Sequence, residues 1–133
     1  MIISLYAGLL ALFYMALSVI VIIGRYKNRV ALGDAGSFDM QRRIRAHANF
    51  IEYTPLFLII MGYAEFSGLS GFWVHNLCGL FLVGRVSHAA SILKLEKYKD
   101  GQIQAYPVFR TVGMVASFTA ITITACNLIS HYL

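Results

Sequence analysis

The sequence predicts an all-α integral membrane protein, a bundle of four transmembrane helices that forms one domain over residues 1–133. Hydrophobic residues make up 59% of the chain and charged residues only 13%, about half the charged fraction of a soluble domain. Most charges lie in two loops, which leaves apolar runs of the length that a bilayer requires. The basic residues flank these runs, so the net charge of +5 indicates a membrane and not a nucleic-acid partner.

The first apolar run, residues 2–24, contains no charged residue. As a helix it would be about 34 Å long, which is enough to cross the hydrocarbon core of a bilayer. A cleaved signal peptide is the competing interpretation. However, no basic segment precedes the run, and the run is longer than the apolar part of a signal peptide. We therefore expect a retained transmembrane helix.

The second predicted span, residues 41–66, is apolar overall but contains Arg45, Asn49 and Glu52. These polar residues follow a spacing of three and four, which places them on one face of a helix. Pro55 should bend this helix because proline has no backbone N–H to donate. The second span therefore carries a polar stripe through a membrane helix.

The third span is predicted over residues 72–93 and contains Arg85 and His88. A second charged loop follows it. The fourth span is predicted over residues 107–132, because Pro107 is suited to the first turn of a helix. The chain then ends close to the end of this last span.

The charges of the loops predict the orientation of the chain in the membrane. The loops at residues 25–43 and 94–106 are rich in lysine and arginine, whereas the turn at 67–71 and both termini contain neither residue. Basic loops shorter than about 60 residues stay on the cytoplasmic side of a membrane. We therefore expect these two basic loops in the cytoplasm and both termini on the opposite side.

Ionisable residues at membrane depth are costly and usually face a bundle interior or an aqueous cavity. Arg45, Glu52, Arg85 and Arg110 all fall in the cytoplasmic half of their predicted helices. An excess of arginine over carboxylate in one cavity indicates an anionic ligand. The alternative is a structural ion pair between Glu52 and Arg85, which should lie at similar depth on adjacent helices. The sequence leaves both interpretations open.

Histidines and cysteines do not indicate a metal site. His47 and His88 lack the spacing of known metal-binding motifs, so we expect packing or hydrogen-bonding roles for them. Cys78 and Cys126 lie in apolar runs and form no metal pattern.

Three segments of the chain resemble the membrane-associated proteins in eicosanoid and glutathione metabolism, the MAPEG family. They are RIRAHANFIEYTPLFL at residues 43–58, GRVSHAA at 84–90 and FRTVG at 109–113. The spacing from Arg45 through Asn49 to Glu52, followed by a proline, is the most specific part of the resemblance. The family includes microsomal glutathione transferases, and the chain resembles in particular its small bacterial members.

The resemblance implies a four-helix protomer in a homotrimer, with glutathione bound as co-substrate between neighbouring subunits on the cytoplasmic side. Small-residue faces, either Gly113 and Ser117 or Ala7 and Ala11, are compatible with such close helix contacts. The implied glutathione contacts are Arg45, Asn49, Glu52, Tyr53, Arg85 and His88, with Arg25 or Arg29 near its carboxylates. Arg110 would be catalytic, because it would stabilise the glutathione thiolate.

The resemblance implies a membrane-bound, glutathione-dependent transferase or peroxidase in a bacterial inner membrane. Its second substrate would be a lipophilic electrophile that enters from the lipid bilayer. One departure matters, because Ile92 occupies a position where several members have a tyrosine. The alternative is therefore a non-catalytic glutathione-binding or structural membrane protein. A small multidrug-type transporter fits less well, because its first helix would carry a carboxylate.

Overall fold

Four long helices dominate the computed structural model, which describes residues 1–99 and 102–133. They are α1 (Ile3–Asn28), α2 (Phe38–Phe66), α3 (Gly71–Ala90) and α4 (Val108–Tyr132). A π-helical turn (Ser91–Leu95) continues α3, and a short antiparallel hairpin of β1 (Tyr98–Lys99) and β2 (Gln102–Ile103) precedes α4. The expected helical architecture is confirmed, and the hairpin is an element that the sequence analysis did not predict.

Three of the helices are long and apolar enough to cross a membrane, namely α1, α3 with its π-helical turn, and α4. The second predicted span forms a 29-residue helix, α2, which has the length but not the composition of a lipid-facing span. Its charged stripe must therefore contact protein or water. It begins at Phe38, a few residues before the predicted start, because the Ser37 hydroxyl accepts a hydrogen bond from the Met40 N–H at 3.4 Å.

The N-terminal end of α1 and the C-terminal end of α2 are joined by one carboxylate. Glu65 accepts hydrogen bonds from the backbone N–H groups of Ile2 and Ile3, the second at 2.9 Å. These N–H groups open α1 and have no partner within the helix. The negative charge at this position also complements the positive end of the helix dipole. Glu65 therefore fixes the antiparallel register of the two helices.

Close contact between α3 and α4 depends on two glycines. A Cβ atom added at Gly113 would lie 2.5 Å from the backbone oxygen of Gly84, and one added at Gly84 would lie 2.8 Å from Ser117 Oγ. Both Gly113 and Ser117 face α3 inside the protomer, so this small-residue stripe is not available for contacts between subunits. Ala7 and Ala11 instead line an open apolar groove of about 280 Å³ between α1 and α2.

The core lies between the helices at mid-depth. Phe57 of α2 and Phe81 of α3 stack with their ring centroids 4.0 Å apart, and both side chains are fully buried. The bundle is therefore held by apolar packing at its centre. The polar side chains of the candidate site lie between this centre and the helix ends that adjoin the two basic loops. Residues 100 and 101, within the loop predicted at 94–106, lie outside the described residues.

Candidate functional site

Arg85 is deeply buried, with 2% of the residue exposed. Its Nε donates to Ser117 Oγ at 2.8 Å and its Nη1 donates to Asn49 Oδ1 at 2.9 Å. Its guanidinium also lies over the rings of Tyr53 and Phe81, 5.1 and 5.7 Å from their centroids. All of these partners are neutral. Among residues 1–99 and 102–133, no carboxylate forms an ion pair with Arg85.

Glu52 pairs with Arg45, which lies seven residues earlier on the same helix. Arg45 Nη1 donates to Glu52 Oε1 at 3.1 Å, and the two side chains are 56% and 44% exposed. The ion pair between Glu52 and Arg85 that the sequence left open is therefore absent from the described part of this protomer. Similar depth on neighbouring helices did not imply contact, because Glu52 is partly exposed beside Arg45 whereas Arg85 is buried against Asn49 and Ser117.

His88 follows Arg85 on α3 and has several charged neighbours. Its side chain is buried, and the charges of Arg85, Arg110, Glu96 and Arg45 are all close enough to act on it. The structure therefore brings together the predicted residues of α2, α3 and α4. His47 lies apart from them, and its Nε2 is 2.9 Å from Ser18 Oγ on α1. That contact fits the predicted hydrogen-bonding role.

Glu96 is a buried carboxylate that the sequence analysis missed. It follows the π-helical turn, and its side chain is only 2% exposed. The hydroxyls of Ser91, at 2.9 Å, and of Tyr98 donate to it, and Arg110 Nη1 lies 3.6 Å from its Oε2. Burial, together with the neighbouring Glu96 carboxylate, raises the pKa of the Tyr98 hydroxyl above its ordinary value. Tyr98 therefore remains a protonated donor at neutral pH.

The loop sequence around Glu96 gave no clear signal of this role. Glu96 lies among lysines in the segment LKLEKYK at residues 93–99, which reads as an exposed charged loop. Only the five-residue spacing between Ser91 and Glu96 matches the contact, and that spacing is specific to a π-helical turn. A sequence pattern based on α-helical spacing would not detect it.

Arg42 anchors the same region from α2. Its Nε donates to the Ile92 carbonyl at 2.6 Å, and its guanidinium lies 5.0 Å from the ring centroid of Tyr98. Ile92 itself is buried in the core. Several MAPEG members have a tyrosine at the position of Ile92. In this chain the residue provides only its backbone carbonyl, which accepts the hydrogen bond from Arg42, and no side-chain hydroxyl.

Arg25 and Arg29 are not part of this cluster within the protomer. Arg25 donates to the carbonyls of Ala31 and Gly33, both at 3.2 Å. Arg29 ends α1 in a left-handed conformation with φ 53°. Both arginines line a separate open pocket of about 520 Å³ at this end of α1.

The cluster consists of guanidinium groups, two carboxylates, one amide, one imidazole and one tyrosine ring. Its members are Arg45, Asn49, Glu52, Tyr53, Arg85, His88, Glu96 and Arg110, and we call this set the polar cluster. The three arginines outnumber the two carboxylates, so the cluster carries an excess of positive charge. Guanidinium groups in this setting favour carboxylates, phosphates or a thiolate. The described residues contain no group of three side chains suited to a metal ion.

Comparison with known proteins gives two findings. The sequence model of the MAPEG family matches residues 3–129, nearly the whole chain. The chain is also 40% identical over 89 residues to the Inner membrane protein YecN of Escherichia coli strain K12, an alignment that covers 66% of this chain and 67% of that protein. The protein of the same name from Escherichia coli O6:H1 matches with the same identity and coverage.

Proposed function

The chain belongs to the MAPEG family, and from this premise we propose that it is a membrane-bound, glutathione-dependent transferase or peroxidase. Glutathione would bind at the polar cluster, and an apolar electrophile would reach it from the bilayer. The name of the Escherichia coli relatives supports a place in the inner membrane. The basic loops support an orientation with the site toward the cytoplasm and both termini on the other side.

The observation that carries this proposal is the buried charge of Arg85, with which no carboxylate of residues 1–99 or 102–133 forms an ion pair. A guanidinium inside a helical bundle costs several kcal/mol unless a counter-charge is present. Its partners Asn49 and Ser117 satisfy its hydrogen bonds but not its charge. An anion bound beside the polar cluster would supply the missing negative charge. Arg85 is therefore better explained by a ligand than by stability.

Glutathione matches the chemistry of the cluster group by group. It has two carboxylates for arginine side chains, one ammonium for Glu52, and a peptide backbone that can exchange hydrogen bonds with Asn49. Tyr53 and His88 would complete the contacts with this peptide. Arg25 and Arg29 lie outside the cluster of one protomer, so they would reach the ligand only from a neighbouring copy.

Arg110 is the candidate catalytic residue. A guanidinium near the sulfur lowers the pKa of the thiol and increases the fraction of thiolate, which is the nucleophile. The thiol proton leaves to solvent, and the sulfur then forms a bond to the electrophilic atom of the second substrate. The bond from that atom to its leaving group breaks, and the leaving group, a halide ion in the case of an aryl halide, departs with the electron pair. Arg110 is 40% exposed, so it is accessible to a bound ligand.

A second copy of the chain would complete the site. Arg45 and Glu52 are exposed on α2, a helix that lacks the composition of a lipid-facing span. An ion pair of this kind is unfavourable against lipid. We therefore include in the proposal a homotrimer in which this face of α2 is covered and glutathione lies between neighbouring subunits.

A non-catalytic glutathione-binding protein is the second candidate function. It is favoured by Ile92, which supplies no hydroxyl to the site, and by Glu96, which partly neutralises Arg110. Both candidates require glutathione binding, but only the first requires activation of the thiol.

The substitution Arg110→Ala separates the two candidates. For the enzyme, glutathione affinity should stay nearly unchanged, while the ultraviolet thiolate absorbance falls and the rate with a reactive aryl halide drops about a hundredfold. Lys97→Ala is the matched control, since it removes a cation from the neighbouring loop. If Arg110→Ala retained the wild-type thiolate absorbance and turnover, the catalytic assignment would be wrong and the non-catalytic function would be favoured.

A further inference from the structure

Glu96 is the buried ionisable group that the proposed reaction does not use. Its carboxylate accepts hydrogen bonds from the hydroxyls of Ser91 and Tyr98, and it lies 3.6 Å from Arg110. A buried carboxylate without such partners would be costly. The surroundings of Glu96 thus hold its carboxylate in a fixed position.

Several elements of the fold converge on this carboxylate. Ser91 belongs to the π-helical turn, Tyr98 to β1 and Arg110 to the first turn of α4. Arg42 of α2 fastens the same segment, because its guanidinium donates to the backbone carbonyls of Ile92, at 2.6 Å, and of Glu96, at 3.4 Å. The position of Glu96 is therefore set by α2, α3 and the hairpin together.

Arg110 has much less support of its own. Its side chain is 40% exposed, and Glu96 is the carboxylate with which it forms an ion pair in the described part of the chain. A long basic side chain near the end of a membrane helix can extend toward the lipid headgroups. Without Glu96, the guanidinium of Arg110 would be free to leave the polar cluster in this way.

We propose that Glu96 is the positioning residue of Arg110, which holds the guanidinium in the polar cluster and away from the headgroups. The catalytic consequence rests on the proposed function, in which Arg110 stabilises the glutathione thiolate. Glu96 itself touches neither the sulfur nor the electrophile. It acts on the reaction only through the position of Arg110.

The first test measures the position of Arg110 without glutathione. An arginine-directed dicarbonyl reagent is applied to the solubilised protein, and modification of Arg110 is followed by peptide mass spectrometry. Glu96→Gln should increase the rate of Arg110 modification severalfold and leave the rate at Arg25 unchanged. Glu65→Gln is the matched control, because it makes the same change at the opposite end of the bundle. An unchanged rate at Arg110 in Glu96→Gln would overturn the proposal.

The second test measures the pKa of the bound glutathione thiol from its absorbance across pH. Removal of a negative charge near the sulfur would, by itself, lower this pKa. Displacement of Arg110 has the opposite effect, so we expect the pKa of the bound thiol to rise in Glu96→Gln. A lowered or unchanged pKa would contradict the positioning role.

A double substitution distinguishes positioning from a general structural role. If Glu96 acts through Arg110, the rate of Glu96→Gln/Arg110→Ala should equal that of Arg110→Ala alone. Additive losses would overturn the proposal. If Glu96→Gln does not fold, Glu96→Asp keeps the charge but shortens the side chain, and the same reagent should modify Arg110 faster than in the wild type.

The two proposals fail in different ways. Absence of glutathione binding to the wild-type protein would remove the proposed function, yet the modification rate of Arg110 would still decide whether Glu96 holds it. If the wild type binds and activates glutathione, but Arg110 is modified in Glu96→Gln at the wild-type rate, only the role of Glu96 is removed.

Discussion

At the scale of single residues, the buried charge of Arg85 is not explained by a contribution to folding stability. Its hydrogen bonds to Asn49 and Ser117 are short, but its charge is balanced by no carboxylate of residues 1–99 or 102–133. Replacement of a buried charge by an apolar side chain of similar size is often neutral or stabilising. The presence of the buried Arg85 charge therefore supports a role in binding an anion.

This reasoning predicts the behaviour of the double variant Arg85→Met/Asn49→Leu. Both partners change together, so that no buried polar atom of the pair is left without a hydrogen bond. We expect a free energy of unfolding equal to or above that of the wild type and no detectable glutathione binding. Thermal unfolding in detergent measures the first and calorimetry the second. A variant that is several kcal/mol less stable would show that Arg85 is mainly structural.

Residue spacing indicated which side chains lie on one face of α2, but not how they pair with residues of other helices. The three-and-four spacing placed Arg45, Asn49 and Glu52 on one stripe, since helix geometry fixes neighbours on the same helix. Pairing across helices depends on how each helix is rotated about its axis, which spacing does not specify. For this reason Glu52 was a candidate partner of Arg85, whereas in the structure it pairs with Arg45.

At the scale of helices, close approach of α3 and α4 brings Arg85 and Arg110 to the same site. Gly84 and Gly113 allow this approach, because a Cβ atom at Gly113 would lie 2.5 Å from the Gly84 oxygen and 2.8 Å from the His88 nitrogen. Backbone atoms cannot move aside as easily as a flexible side chain. Packing of these two helices therefore has little tolerance for added volume.

We accordingly predict that Gly113→Ala destabilises the protein by about 1–3 kcal/mol, the usual cost of overpacking. Gly62→Ala is the matched control, since a Cβ atom there would meet no atom within 4 Å. It should be neutral or slightly stabilising, because alanine favours helix more than glycine does. Thermal unfolding of both variants measures the difference. Equal stability of the two variants would contradict the described contact of α3 with α4.

The helices were predictable from hydropathy, whereas the elements between α3 and α4 were not. Long apolar runs specify helices because a membrane leaves the backbone few alternatives. The segment after α3 is short and charged, and its π-helical turn depends on contacts of Arg42 and Glu96 with residues distant in sequence or on other elements. These tertiary contacts leave no periodic pattern in the sequence.

At the scale of the whole molecule, one protomer exposes charges that a bilayer would not accept. Arg45 and Glu52 are 56% and 44% exposed, on the helix that is least suited to lipid. A neighbouring copy would cover this face and could bring Arg25 or Arg29 toward it. The arrangement of one chain is in this sense incomplete.

We therefore predict that native mass spectrometry in a mild detergent detects a homotrimer. Replacement of both Arg45 and Glu52 by leucine should weaken the trimer, because a leucine face is stable against lipid and a charged face is not. Gly62→Ala again provides a control variant, because it changes neither charge nor packing within the protomer. A wild-type protein that remained a monomer or dimer would contradict a site between three subunits.

Calorimetric titration of the detergent-solubilised protein with glutathione decides whether the polar cluster is a glutathione site. We expect saturable binding by the wild type, and loss of that binding in Arg85→Met/Asn49→Leu at unchanged thermal stability. S-methylglutathione, which has no free thiol, should still bind, because most of the proposed contacts are to the peptide. If the folded wild-type protein showed no heat of binding, or if the double variant bound as tightly as the wild type, the polar cluster would not be a glutathione site.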